Sequence, residues 1–361
     1  MNGNLPNILN RIGAHNRAMF AVLPAGLARS HRASPAAALR VQLLYGVPVL
    51  LSGLAALVLL KSEIDILRHH YKLCLERLQK LHKATPEPVV YFLGGSLPLP
   101  ALLHLRQLSL LGMIARLGSN NILHQHAKNI LSSSGGKSHS WFYQIRITCS
   151  QYKLPDPVAI LTEPPLKAPF KKLAKAKIVE AANLPSLVYF KTEFYSLTSP
   201  HPLWSTSKGN PYEVEKACVQ AKMLSGRYRT CWLSRHWSGD PTGSCTLPVC
   251  RETAPKPGTL HHIIFECPDL TAPRSRVLQL WRDHLNDKPE LYSLVQLYTI
   301  DCPDPSTSLQ FILDCSVLPL VISQAQERDS QVLSSLFYIT RTLCYSIHKA
   351  RLKLLGKWKT I

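Results

Sequence analysis

The residues best placed to do chemistry lie in one segment, CTLPVCRETAPKPGTLHHIIFECPDL, which runs from Cys245 to Leu270 and holds three cysteines and two adjacent histidines. Cys245-x4-Cys250 and His262-x4-Cys267 form two pairs, each close enough to clamp one face of a tetrahedral ion. Four thiolate or imidazole ligands with no open position describe one structural zinc ion. The proline and glycine content suits a loop with little core of its own, whose fold the metal would hold. C-x4-C is less specific than C-x2-C, so His261 and Cys231 remain as substitutes if one assigned ligand is displaced.

Immediately upstream, GRYRTCWLSRHWSGD interleaves cations with rings: Arg227, Tyr228, Arg229, Trp232, Arg235, His236 and Trp237. This combination suits phosphate neutralisation with base stacking; a helix with its rings in the core and its arginines outside would read the same way. FKKLAKAKIVEAANL adds a basic amphipathic helix carrying Lys171, Lys172, Lys175 and Lys177. Other chemistry is thin. GGKS at 135–138 lacks the upstream glycine of a phosphate-binding loop, since that position is Leu131. No Ser or Cys sits in a nucleophile signature, and His69 and His70 fall on a helix face. Asp304 and Asp314 offer a faint nuclease-like pair, short of the further acid that such metal sites need.

The elements that must position these residues read as mainly α, helical segments flanking a small zinc-knuckle-like loop module. Ile64, Ile66, Leu67, Tyr71, Cys74, Leu75 and Leu78 form an apolar stripe behind Ser62. ALLHLRQLSLLGMIARLG and NILHQHAKNILSSS are further helices, separated from the first by a turn-rich stretch at 85–100. Along the chain, residues 1–40 read as a basic arm, 41–153 as a helical region, and 154–225 as a proline-rich linker with the basic helix. Residues 226–270 carry the basic, aromatic and metal-binding segments, and 271–361 are helical again.

Charge bounds the partners. The chain carries 42 Lys+Arg against 22 Asp+Glu, a net charge of +20, which favours polyanions. The imbalance is local: no acid precedes Glu63, and none lies between Glu87 and Asp156. Ten cysteines without a secretory signal at the N-terminus predict reduced thiols in nucleus or cytoplasm, not a secreted disulfide scaffold. VQLLYGVPVLLSGLAALVLL, Val41 to Leu60, meets the length of a membrane span. Its Gln42, Gly46, Pro48 and Gly53 interruptions and basic flanks favour a buried hairpin helix.

GRYRTCWLSRHWSGDPTGSCTLPVC followed by PGTLHHIIFECP resembles the C-terminal zinc-knuckle region of non-LTR, LINE-type retrotransposon reverse transcriptases. That family places a Cys pair before His, two apolar residues, two variable residues and Cys-Pro. The matching run is His262-Ile263-Ile264-Phe265-Glu266-Cys267-Pro268, and the ligands carried over are Cys245, Cys250, His262 and Cys267. The segment from Tyr45 to Pro98 resembles the thumb-like helices after the polymerase core, and RTLCYSIHKARLKLLGKW resembles the continuation beyond the knuckle. The family's catalytic motif needs adjacent aspartates, and this chain has no Asp-Asp dipeptide. The resemblance therefore implies a non-catalytic fragment of a truncated open reading frame. Such a fragment would bind RNA or DNA, with neither a membrane nor a small-molecule substrate. The alternative is an inert relic with no function of its own.

Overall fold

The computed structural model describes residues 3–22, 34–133, 140–190, 197, 199–207, 209–235, 241–253, 256–299, 301–328 and 331–356. Its regular secondary structure is helical, with no strand among the described residues. Among the described residues the sole extended pairing is an isolated antiparallel bridge between Ser244 and Pro257. The chain folds as two compact units: one comprises the N-terminal helix, Ala37–Arg77 and Glu87–Pro200, and the other Leu78–Pro86 and His201 onward. The proline-rich stretch at 154–170 thus lies inside the first unit, and the break falls at Pro200.

In the first unit the Leu99–Ala115 helix is central. Its Leu99, Leu103, Leu108, Leu111 and Ile114 are buried, and it packs against Lys167–Phe190. Gly112 permits the close approach: a Cβ there would stand 3.0 Å from the Phe170 ring. Pro185 lies inside the Lys167–Phe190 helix, where a proline costs about 3 kcal/mol in an unsupported helix. Local support comes from Ser186 Oγ, which donates to Pro88 O at 3.1 Å.

Residues expected as a basic arm include a helix, Leu5–Val22. Its buried seam is Ile8, His15 and Met19. The polar member is satisfied in the fold: His15 Nε2 meets Gln42 Oε1 at 3.1 Å, and His70 Nε2 meets His15 Nδ1 at 2.9 Å. The apolar run Val41–Leu60 is divided rather than continuous. The Pro35–Leu50 helix ends before Gly53, which turns the chain at φ +75°, a conformation glycine adopts without a Cβ clash. No single described helix is long and apolar enough to cross a membrane.

The second unit is organised on Gln331–Leu354, a 24-residue helix that packs against Pro211–Leu224 and Thr271–Leu285. Buried polar groups tie it together. Gln220 Nε2 donates to Ile312 O at 2.7 Å, and Trp281 Nε1 to Ile339 O at 3.0 Å. Arg341, 2% exposed, donates to Thr206 Oγ1 at 2.9 Å and pairs with Glu213 at 3.3 Å.

Candidate metal centre

Cys245, Cys250, His262 and Cys267 converge, with one ligand atom from each lying within 4.8 Å of all the others, and all four residues are buried. Cys245 Sγ is 4.0 Å from Cys267 Sγ, and Cys250 Sγ is 3.4 Å from His262 Nε2. Ligands at about 2.3 Å around a tetrahedral ion stand roughly 3.8 Å apart, so this cluster could hold a metal ion after a small contraction. The described cysteines are all free thiols.

Local backbone explains the convergence. In an α-helix residues five apart point about 140° away from each other, which would separate His262 from Cys267. The His262–Glu266 turn is instead wide, closed by Cys267 N donating to His262 O at 2.8 Å, and this brings both side chains to one side. Cys245 is held on the facing arm: its N–H donates to Lys256 O at 2.8 Å, while Gly258 N donates to Gly243 O at 2.8 Å. Cys250 sits in the short Pro248–Thr253 helix.

Three neighbours hold these candidate ligands in place, none of them among the residues the sequence marked out. Asp269 accepts from the N–H groups of Val249 and Cys250 at 3.0 and 2.8 Å, and its Oδ2 lies 4.0 Å from Cys267 Sγ. Glu266 Oε2 lies 3.5 Å from His262 Nδ1. That arrangement leaves Nε2 toward the thiols, in the carboxylate–histidine pattern of metal sites. Arg274 donates to Ile264 O at 2.8 Å and Cys267 O at 3.1 Å, clasping the wide turn. The His262–Glu266 pair was visible as an i, i+4 spacing; Asp269 and Arg274 follow the ligands and carry no spacing signal.

Burial pushes the Cys245 thiol up to about 12 and raises Cys267 as well. Burial also lowers His262, against the opposing pull of Glu266. An imidazole that stays neutral is the form that ligates a metal.

Neither substitute ligand enters the cluster. Cys231 Sγ contacts Thr246 Oγ1 at 3.5 Å, and its Cβ fits over Gly258, where an added Cβ would stand only 2.7 Å away. His261 turns its Nδ1 to Glu266 Oε1 at 3.2 Å and its ring toward Phe265.

The basic and aromatic residues separate into groups. Trp232 is 42% exposed, with the Arg235 guanidinium 3.4 Å above its ring. It is anchored to the loop that carries the Cys3His cluster: Trp232 N donates to Gly258 O at 3.3 Å, and Gly243, at φ +60°, leaves room for the Trp232 backbone. Arg229 is exposed and Arg227 half-buried. Tyr228 departs from the expectation of a stacking ring. It is buried, its hydroxyl meets His348 Nδ1 at 3.0 Å, and Arg351 covers its ring at 5.4 Å. His236 and Trp237 lie outside the described residues, as does GGKS. Lys171, Lys172 and Lys175 are exposed on the Lys167–Phe190 helix of the first unit, and the metal cluster belongs to the second.

The two aspartates considered for a nuclease have structural partners. Asp304 caps the Pro305–Leu313 helix, accepting from Ser306 N at 3.0 Å and Thr307 N at 3.1 Å. Asp314 is fully buried against His201 Nε2 at 3.1 Å and accepts from Ser316 Oγ at 2.6 Å.

No family model, no curated protein and no solved structure matches this chain.

Proposed function

We propose that this chain is a non-catalytic nucleic-acid-binding fragment, akin to the C-terminal region of LINE-type reverse transcriptases, in which one zinc ion holds the knuckle. The carrying observation is the buried Cys3His cluster with the exposed Trp232–Arg235 stack hydrogen-bonded to its loop. Three soft thiolates and an imidazole select zinc over hard oxygen-seeking cations. Four protein ligands leave no vacant coordination position, which supports a structural rather than a hydrolytic metal. Trp232 and Arg235 offer a flat surface for an unstacked base, and Arg229 a cation for phosphate. A net charge of +20 supplies the long-range attraction.

The test is fluorescence anisotropy of zinc-loaded protein with labelled single-stranded RNA and DNA. Binding should weaken steeply as salt rises from about 50 to about 200 mM. Trp232→Ala should weaken it by about 5- to 150-fold, the range for loss of one base stack, with zinc content unchanged. Absence of binding by the zinc-loaded wild type at low salt would remove this reading.

A further inference from the structure

A groove in the first unit, between the Leu99–Ala115 and Lys167–Phe190 helices, is lined by five cations: Arg106, Arg116, Lys167, Lys171 and Lys175. Its volume is about 400 Å³, and no carboxylate lines it. We propose that this groove binds the sugar-phosphate backbone of a single nucleic-acid strand. The inference rests on the nucleic-acid reading above but uses a unit separate from the metal centre.

Lys167, Lys171 and Lys175 recur every four residues, so they form one ridge about 12 Å long on a single helix face. Arg106 on the partner helix and Arg116 at its C-cap, ten positions apart, form the opposite bank. Among the described residues none of the five has an ion-pair partner: the sole acid in the Lys167–Phe190 helix is Glu180, which pairs with Lys177 at 3.1 Å. The stretch that supplies Arg106 and Arg116 belongs to the acid-free run between Glu87 and Asp156. Solvated cationic faces ordinarily mix both signs, so five unpaired cations around one recess mark a place for fixed negative charge. Burial depresses the Arg106 pKa, and an entering anion would relieve that cost.

The shape selects the occupant. Charges spaced along a 12 Å ridge match a ligand whose negative charges also repeat along a line, better than a compact phosphate. A planar bilayer would meet exposed lysines on a convex face but would not reach half-buried Arg106 in a recess. The floor includes Phe170, which is 6% exposed and closed off by packing over Gly112. The groove therefore reads phosphates and has no stacking platform.

The experiment compares wild type, the triple variant Lys167→Gln/Lys171→Gln/Lys175→Gln, Lys172→Gln and Trp232→Ala in full-length zinc-loaded protein. Lys172 is exposed on the same helix but does not line the groove. Each is titrated into a labelled single-stranded oligonucleotide across salt, with circular dichroism to check folding. For single strands the slope of log K against log salt is about −0.7 per neutralised phosphate. The triple variant should lose about 2 units of slope and bind about 50-fold more weakly at 0.15 M salt by the same relation. Lys172→Gln should retain most of the affinity.

If Trp232→Ala loses binding and a folded triple variant matches wild type, the groove proposal falls and the knuckle reading stands. If the triple variant loses binding and Trp232→Ala does not, the groove stands and the knuckle contact falls. Wild type that binds no oligonucleotide ends both. Lysine-dependent binding to phosphatidylserine vesicles without oligonucleotide binding would overturn the strand as occupant.

Discussion

Asp269→Ala tests whether the metal centre is built as an interlocked unit or is merely four close residues. The Asp269 carboxylate accepts two backbone N–H bonds, from Val249 and Cys250 at 3.0 and 2.8 Å, and so fixes one ligand through its own main chain. Hydrogen bonds to a charged acceptor contribute about 1.5–3 kcal/mol, and a lost helix cap costs about 0.5–2 kcal/mol. Part of this is shared between the two descriptions, so the loss in the metal-loaded state should be about 2–3 kcal/mol. A like-charge effect acts the other way, because Asp269 Oδ2 lies 4.0 Å from Cys267 Sγ. A bound divalent cation would largely cancel the thiolate charge, so the anchoring loss should win. Zinc affinity, read by competition with a chromophoric chelator, should fall about 10- to 100-fold, the range for outer partners of metal ligands. Asp269→Asn keeps an acceptor and should fall less. An Asp269→Ala protein with zinc affinity within about twofold of wild type would show that Cys250 does not depend on this anchor.

Three further outcomes follow from the packing and the titrating groups. Gly258→Ala places a Cβ 2.7 Å from Cys231 Cβ, so it should lower the melting temperature and loosen zinc; Cys231→Gly in the same chain should restore both. Burial holds His70 and His104 at about 4, below the usual 6.5. The unfolded chain then binds more protons between these values, so stability should fall as pH drops from about 6.5 toward 4. Denaturant midpoints across that window should flatten in His104→Gln, and an unchanged slope would contradict the assignment. Tyr228→Phe removes a bond to His348 Nδ1 at 3.0 Å. It should cost about 0.5–1.5 kcal/mol of stability in urea unfolding and leave oligonucleotide affinity unchanged, as suits a buried ring.

The candidate quartet was legible because three of the ten cysteines and two of the fifteen histidines crowd into the segment from Cys245 to Leu270, where two x4 pairs leave few alternatives. What excludes Cys231 and His261 is not in the spacing: a wide turn at His262–Glu266 and the fit of Cys231 over Gly258 decide it. The helices at Lys61–Leu78, Leu99–Ala115 and Ile122–Ser133 were readable from apolar periodicity. Leu5–Val22 was not, because one position in its seam is His15, a polar residue whose partners lie 27 and 55 residues away. Tyr228 misled for the same reason: only His348 and Arg351, more than a hundred residues later, reveal it as a core ring. The Lys167–Phe190 helix was legible as basic, but the groove it shares with Arg106 and Arg116 arises from packing alone.

The most direct measurement is zinc per chain by elemental analysis of purified protein, beside Cys250→Ser/Cys267→Ser. Wild type should carry about one zinc, set by the four-ligand stoichiometry of a closed site, and the double variant none. A folded wild type without zinc, or a double variant that retains it, would contradict the metal centre at Cys245, Cys250, His262 and Cys267.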